Sequence, residues 1–78
     1  MNTKKFRIQM IKNNDTQTTL AEVLDLPQSA ISARVNGKTP FRQDEINIIR
    51  KRWSLSNEDT VDIFFTDDVS DSDTLKGA

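Results

Sequence analysis

The chain passes from one helical pattern to another across only three residues, Asp25-Leu26-Pro27, and this connector constrains the fold more than any other feature. The residue before a proline is disfavoured in helical conformation, whereas a proline is tolerated in the first turn of a helix. One helix is therefore expected to end at about Leu24, and the next to begin at Gln28. Two short helices joined this tightly make a helix-turn-helix.

The predicted helix-turn-helix extends from Gln17 to Gly37. Ala21 is small where the two helices approach each other, and Gly37 supplies a left-handed cap to the second helix. Apolar contacts are expected from Leu20, Leu24, Leu26, Ile31 and Val35.

Outward or partner-facing positions are expected at Gln28, Ser29, Ser32, Ala33 and Arg34. Short polar side chains there let a helix enter the major groove of DNA, which is about 12 Å wide, and a glutamine suits adenine. Compact helix bundles also have polar outer faces, so the pattern alone leaves a purely structural helix pair open.

Apolar spacing and capping residues predict three further helices, so the expected fold is all-α with five helices. A first helix is expected to end at about Asn13, a fourth to cover about 43–53, and a fifth to run from a Ser56 cap to about Phe65. The first helix is predicted to bury Phe6, Met10 and Ile11.

The apolar residues and the charge both divide the chain near its last helix. Twenty-four of the 27 apolar residues precede Thr66, which predicts a folded domain over 1–65 and a disordered acidic tail over 66–78. Residues 1–53 hold ten Lys and Arg and five Asp and Glu, a net +5, whereas residues 54–78 carry a net −6. A basic half suits a polyanion, and an acidic half suits a disordered arm or a basic partner.

The sequence has no cysteine and no histidine. Their absence excludes disulfides, thiolate nucleophiles, Ser-His-Asp arrangements and ordinary zinc sites, so we expect neither an enzyme nor a metal or cofactor. The four acids between 67 and 73 lack the glycine and final glutamate of a calcium loop. The longest apolar run, Ile63-Phe64-Phe65, is far shorter than the ~20 residues that span a bilayer, and the charged N-terminus is unlike a secretory signal. We therefore expect a cytoplasmic protein without membrane contact.

Several residues of the helix-turn-helix match a known pattern: Gln17, Leu20-Ala21, Leu24, Leu26, Gln28-Ser29, Ile31-Ser32 and Asn36-Gly37-Lys38. With these residues the chain resembles the lambda repressor/Cro-type helix-turn-helix family over roughly 4–65. Through NGKTPFRQDEI and a last helix ending in IFF, it is similar to small Cro-like regulators and modulators of repression from temperate phages of Gram-positive hosts.

The resemblance implies roles for individual residues. Gln17 would bind a phosphate and support the first residue of the recognition helix, and Gln28 and Ser29 would read bases. Asn36 would hold the DNA backbone, and the motif register gives Lys38 the same role. Two positions depart from the family: Asp25 stands where glycine is usual, and Pro27 where a Ser or Thr cap is usual. The proline removes one capping bond of about 1 kcal/mol and a backbone donor, so we expect the fold to be kept and the DNA affinity to be weakened.

Three functions are compatible with these observations. The first is a phage regulator of the lytic/lysogenic switch that binds double-stranded operator DNA, as a homodimer or together with the phage repressor. The second is an antirepressor that pairs with that repressor and blocks its DNA-binding surface, and the third is an antitoxin. Three aromatics lie near the end of the domain: Trp53, Phe64 and Phe65. We expect them to form a surface that binds a partner, and burial in the core is the alternative.

Overall fold

The computed structural model of the chain describes residues 1–66, and within this range it contains five α-helices and no β-strand. The helices are α1 (Thr3–Lys12), α2 (Gln17–Leu24), α3 (Gln28–Val35), α4 (Gln43–Arg52) and α5 (Asn57–Phe64). The expected all-α fold with five helices is thereby confirmed for these residues. The predicted disordered tail lies, from residue 67 onward, outside the described residues.

Local side chains determine where the helices begin. The side chain of Asn2 caps α1, and that of Ser56 caps α5, each accepting a hydrogen bond from a backbone N–H three residues further on. Thr16 and Thr19 form a reciprocal capping box at the start of α2. Such caps stabilise a helix by about 1 kcal/mol each. As expected, α3 lacks one, because Pro27 at its start has no side chain that could accept a bond.

The core is built around the ring of Phe6, which is fully buried. Its centroid lies 5.1 Å from those of Phe41 and Trp53, and 5.7 Å from that of Phe64. The rings come from α1, from the segment before α4, from the end of α4 and from α5, so one cluster joins distant parts of the sequence. The other buried apolar residues are Met10, Leu20, Ala21, Leu24, Ile31, Val35, Ile46, Ile49, Leu55 and Ile63.

Two expectations about burial are wrong. Ile11 is 75% exposed, because Met10 follows Phe6 at a spacing of four residues and takes the inward position instead. Trp53 and Phe64 occupy the place in the core that the sequence left open for them and not the expected partner-binding surface, since both pack against Phe6 and are less than a tenth exposed. Of the three aromatics assigned to an interface, only Phe65 is exposed, at 58%.

A buried carboxylate, that of Asp15, joins the start of α2 to the end of α4. Its two oxygens accept hydrogen bonds from Thr19 Oγ1 at 2.9 Å, from Arg52 Nε and Nη2 at 2.9 and 2.8 Å, and from Trp53 Nε1 at 2.6 Å. The hydrogen bond from Arg52 is the largest cause that lowers the pKa of Asp15, from 3.8 to about 2, against burial, which raises it. This cluster ties the start of α2 to the C-terminal end of α4.

Candidate nucleic-acid interface

The three-residue connector forms a tight turn, and α2 packs against α3 beyond it. Asp25 adopts the left-handed conformation, with φ 55° and ψ 48°, which Asp tolerates better than most residues. The backbone N–H of Leu26 donates to the carbonyl of Ala21 at 2.9 Å, which closes the end of α2. Ala21 is buried between the helices, as its small size predicted. The tight turn between α2 and α3 therefore forms with an aspartate at its left-handed position.

The first two residues of α3 are exposed and polar. Gln28 and Ser29 both project from the surface at the exposed start of the helix. The side-chain amide of Gln28 donates from Nε2 to Thr18 Oγ1 at 3.0 Å. This hydrogen bond goes to Thr18, the neighbour of Gln17, and the roles that the resemblance implies for Gln17 remain predictions. The bond leaves the carbonyl oxygen of Gln28 open as an acceptor and orients the amide across the two helices.

The outer face of α3 continues through Ser32 and Ala33, which are half-buried, to the exposed Asn36. Asn36 lies directly after the helix, and its side chain is held from both sides. Its Oδ1 accepts a hydrogen bond from a guanidinium N–H of Arg7, and its Nδ2 donates to Ser32 Oγ at 3.4 Å. Arg7 belongs to α1, so α1 contributes directly to the surface around the end of α3.

The loop after α3 places Lys38 next to that surface. Gly37 has φ +79°, the left-handed cap that the sequence predicted, and a Cβ at this position would lie 3.2 Å from Thr3 Cγ2. The backbone N–H groups of Lys38 and Thr39 both donate to the carbonyl of Ala33, at 2.9 and 3.2 Å. These bonds fix the backbone from which the exposed side chain of Lys38 extends.

Arg34 does not lie where a DNA-binding residue would. Its Nε donates to Glu45 Oε1 at 2.9 Å, its Nη1 donates to the carbonyl of Ala30 at 3.3 Å, and its side chain is only 12% exposed. Glu45 is itself buried and also accepts from the backbone N–H of Arg42 at 2.8 Å. The assignment of Arg34 to the outward face is therefore corrected: its charge balances a buried carboxylate and joins α3 to α4.

A second exposed surface lies on α5, where residues at helical spacing combine acidic and apolar side chains. We call Glu58, Val61, Asp62 and Phe65 the α5 face. Val61 is 53% exposed and Phe65 is 58% exposed. Asp62 bonds Lys5 of α1. This face has the sign of charge opposite to that of Arg7 and Lys38.

Sequence reasoning missed Arg7 and Thr18. Thr18 lies beside Gln17, and the residues that carry the family resemblance do not include it. Arg7 lies 29 residues before its partner Asn36, and nothing in the spacing of α1 distinguishes it from the other cations of that helix. Only the packing of α1 against α3 brings the two side chains together.

Other kinds of site are not evident in residues 1–66. This range contains no group of three or more side chains placed to hold a metal ion. None of its helices is long and apolar enough to cross a membrane.

No family model, curated protein or solved structure matches the chain.

Proposed function

We propose that this chain is a transcription regulator of the lambda repressor/Cro type, which binds double-stranded operator DNA with α3 in the major groove. In this proposal it acts in the lytic/lysogenic switch of a temperate phage, together with or against the phage repressor. The observation that carries the proposal is the exposed, polar start of α3, projecting from a tight helix pair. With the helix axis in the groove, the polar side chains of Gln28 and Ser29 would lie within hydrogen-bonding distance of base edges.

The contacts around α3 divide into those that could read bases and those that could hold the backbone. The amide of Gln28, oriented by Thr18, can offer an acceptor and a donor to adenine. Asn36 and Lys38 lie at the other end of the helix, where a phosphate strand would border the groove. Because Arg34 is neutralised by Glu45, few cations remain at this surface. The electrostatic part of DNA affinity grows with the number of phosphates neutralised, so we expect modest affinity for the protein alone.

A binding assay on matched duplexes tests the proposal. Fluorescence anisotropy would compare a labelled duplex from the promoter region beside the chain's own gene with a duplex of scrambled sequence. Gln28→Ala should weaken binding to the promoter duplex by about 1–3 kcal/mol and leave the scrambled duplex almost unaffected. Gln43→Ala is the matched control, since it removes the same side chain from the exposed start of α4. Equal losses on both duplexes would contradict base reading by Gln28.

The α5 face favours a second candidate function, an antirepressor that binds the phage repressor. Two exposed apolar side chains, Val61 and Phe65, lie among acidic residues on this face. Such a surface complements the basic, DNA-binding face of a repressor, and charge complementarity speeds and orients association. Calorimetry with the N-terminal domain of the cognate repressor separates the two candidates. Tight heteromeric binding with little DNA binding favours the antirepressor, whereas strong promoter binding without any heat of interaction leaves a simple Cro-like regulator.

A further inference from the structure

Helix α1 contacts two different helices through cations two residues apart. Lys5 bonds Asp62 of α5, and Arg7 bonds Asn36 at the end of α3. Two residues correspond to roughly 200° around a helix, so these side chains leave α1 on opposite sides. Arg7 therefore belongs to the side of the molecule that carries the outer face of α3, and Lys5 to the side that carries the α5 face.

Two arginines lie at α3, Arg34 within the helix and Arg7 on the neighbouring α1, and their charges are balanced differently. Arg34 is paired with the buried carboxylate of Glu45. Arg7 is exposed, and within residues 1–66 it forms no ion pair; its bond goes to the neutral amide oxygen of Asn36. A guanidinium has five N–H donors in a planar fork. The contact with Asn36 orients this fork and leaves positive charge and further donors available to an anion.

Arg7 also lines a groove between α1 and the helix-turn-helix. The groove has a volume of about 440 Å³ and is bordered by Gln17 at the start of α2 and by Val35 at the end of α3. Asp15 contributes to its wall, but its carboxylate is already bonded by Arg52, Trp53 and Thr19 and its side chain is only 2% exposed. The accessible charge in this groove is therefore that of Arg7.

We propose that Arg7 contacts a DNA phosphate and that α1 thereby forms part of the nucleic-acid interface. This inference rests on the proposed function. Arginine binds phosphate with two parallel hydrogen bonds, a geometry that the orientation by Asn36 prepares. The phosphate would lie in the groove that Arg7 lines together with Gln17 at the start of α2. The opposing interpretation is that Arg7 only ties α1 to α3 inside the folded domain.

The salt dependence of DNA binding distinguishes a phosphate contact from a purely structural one. Anisotropy titrations on the promoter and scrambled duplexes, between about 50 and 200 mM salt, give the slope of log affinity against log salt. We expect Arg7→Ala to weaken both duplexes by about tenfold and to reduce the slope by about 0.9, the value for one phosphate. Arg7→Lys, which keeps the charge, should restore the slope and part of the affinity.

Lys5→Ala is the matched control, because it removes the same charge from the same helix on the side of α5. It should change affinity by less than about twofold and leave the slope unaltered. If Arg7→Ala behaves like Lys5→Ala, or loses affinity with an unchanged slope, Arg7 does not contact phosphate. If the unaltered protein binds neither duplex, the proposed function fails and this inference fails with it. Thermal melts by circular dichroism identify any variant whose loss comes from unfolding.

Discussion

The outer faces of α3 and α5 differ in the properties that select a partner. The α3 face begins with two short, uncharged side chains, Gln28 and Ser29, and ends beside the cations Arg7 and Lys38. The α5 face is acidic and contains exposed apolar groups, of which Phe65 is the largest. A polyanion fits the first face and a basic protein surface fits the second.

Because the two faces differ in this way, the net charge of −1 does not indicate which kind of partner the chain binds. The value sums a basic segment, 1–53, and an acidic segment, 54–78, whereas residues 1–66 alone hold ten Lys and Arg against eight Asp and Glu. Helix α1 contacts both of the helices that carry the two faces. The two candidate functions consequently depend on different residues. Substitutions can remove one function at a time, or both together when they break the structure that the two faces share.

The largest effect is expected from Asp15→Ala, which breaks the shared structure. The substitution removes four hydrogen bonds that tie α2 to the end of α4. We expect the free energy of unfolding to fall by about 2–3 kcal/mol, since Arg52 is partly exposed and is not left as a buried charge. Urea unfolding followed by Trp53 fluorescence measures this. Asp44→Ala, at an exposed carboxylate, is the control and should cost less than about 0.5 kcal/mol. Equal stability of the two variants would show that the cluster contributes little.

Acid should weaken the same cluster in a defined range of pH. The pKa of Asp15 is lowered from 3.8 to about 2 in the folded chain, chiefly by the hydrogen bond from Arg52. A lowered pKa means that the stabilisation is complete above about pH 4 and disappears as the pH falls through 2. The shift corresponds to about 2 kcal/mol. Unfolding free energies of the unaltered chain and of Asp15→Asn should therefore differ at about pH 6 and converge towards pH 2. A difference independent of pH would contradict the ionic interaction.

Phe65→Ser should disrupt the α5 face alone. The side chain is 58% exposed, so we expect the helical circular dichroism and the melting temperature to persist. Binding to the cognate repressor domain should weaken by about tenfold, because exposed aromatics commonly dominate interface energies. Calorimetry measures the loss, and Ile48→Ser, at another exposed apolar residue, is the control. Unfolding of Phe65→Ser would mean that the ring supports the core.

The helices and most of the core could be predicted from the sequence because their causes are local. The turn at Asp25, the left-handed Gly37 and the uncapped Pro27 all follow from the conformational preferences of single residues. The inward positions of Phe6 and Met10 follow from helical spacing. These features agree with the structure.

The errors at Arg34 and Trp53 concern contacts between residues far apart in the sequence. Arg34 is drawn inward by Glu45, eleven residues later, and Trp53 by Asp15, 38 residues earlier. A buried carboxylate must have donors, and which arginine or indole supplies them depends on the packing of whole helices. No pattern within one helix contains that information, so the inward positions of Arg34 and Trp53 could not be identified from the sequence.

The smallest effect, and the one that best separates the two faces, is expected from Lys38→Ala. Its backbone is fixed by the hydrogen bond to Ala33 and its side chain is exposed, so removing the ammonium should not disturb the fold. We expect a loss of about threefold on both promoter and scrambled duplexes, with a salt slope reduced by about 0.9, because one phosphate contact disappears.

Binding to the repressor domain gives the decisive second measurement on Lys38→Ala. A basic repressor surface would be repelled by Lys38, so a partner that docks on the α5 face should bind the variant unchanged or slightly more tightly. The double variant Lys38→Ala, Phe65→Ser should then show the two single losses, each in its own assay, because separate surfaces contribute additively. Weaker binding of Lys38→Ala to the repressor domain would mean that the partner also covers the end of α3. Repressor and DNA would in that case compete for one surface, and the separation of the two faces would be wrong.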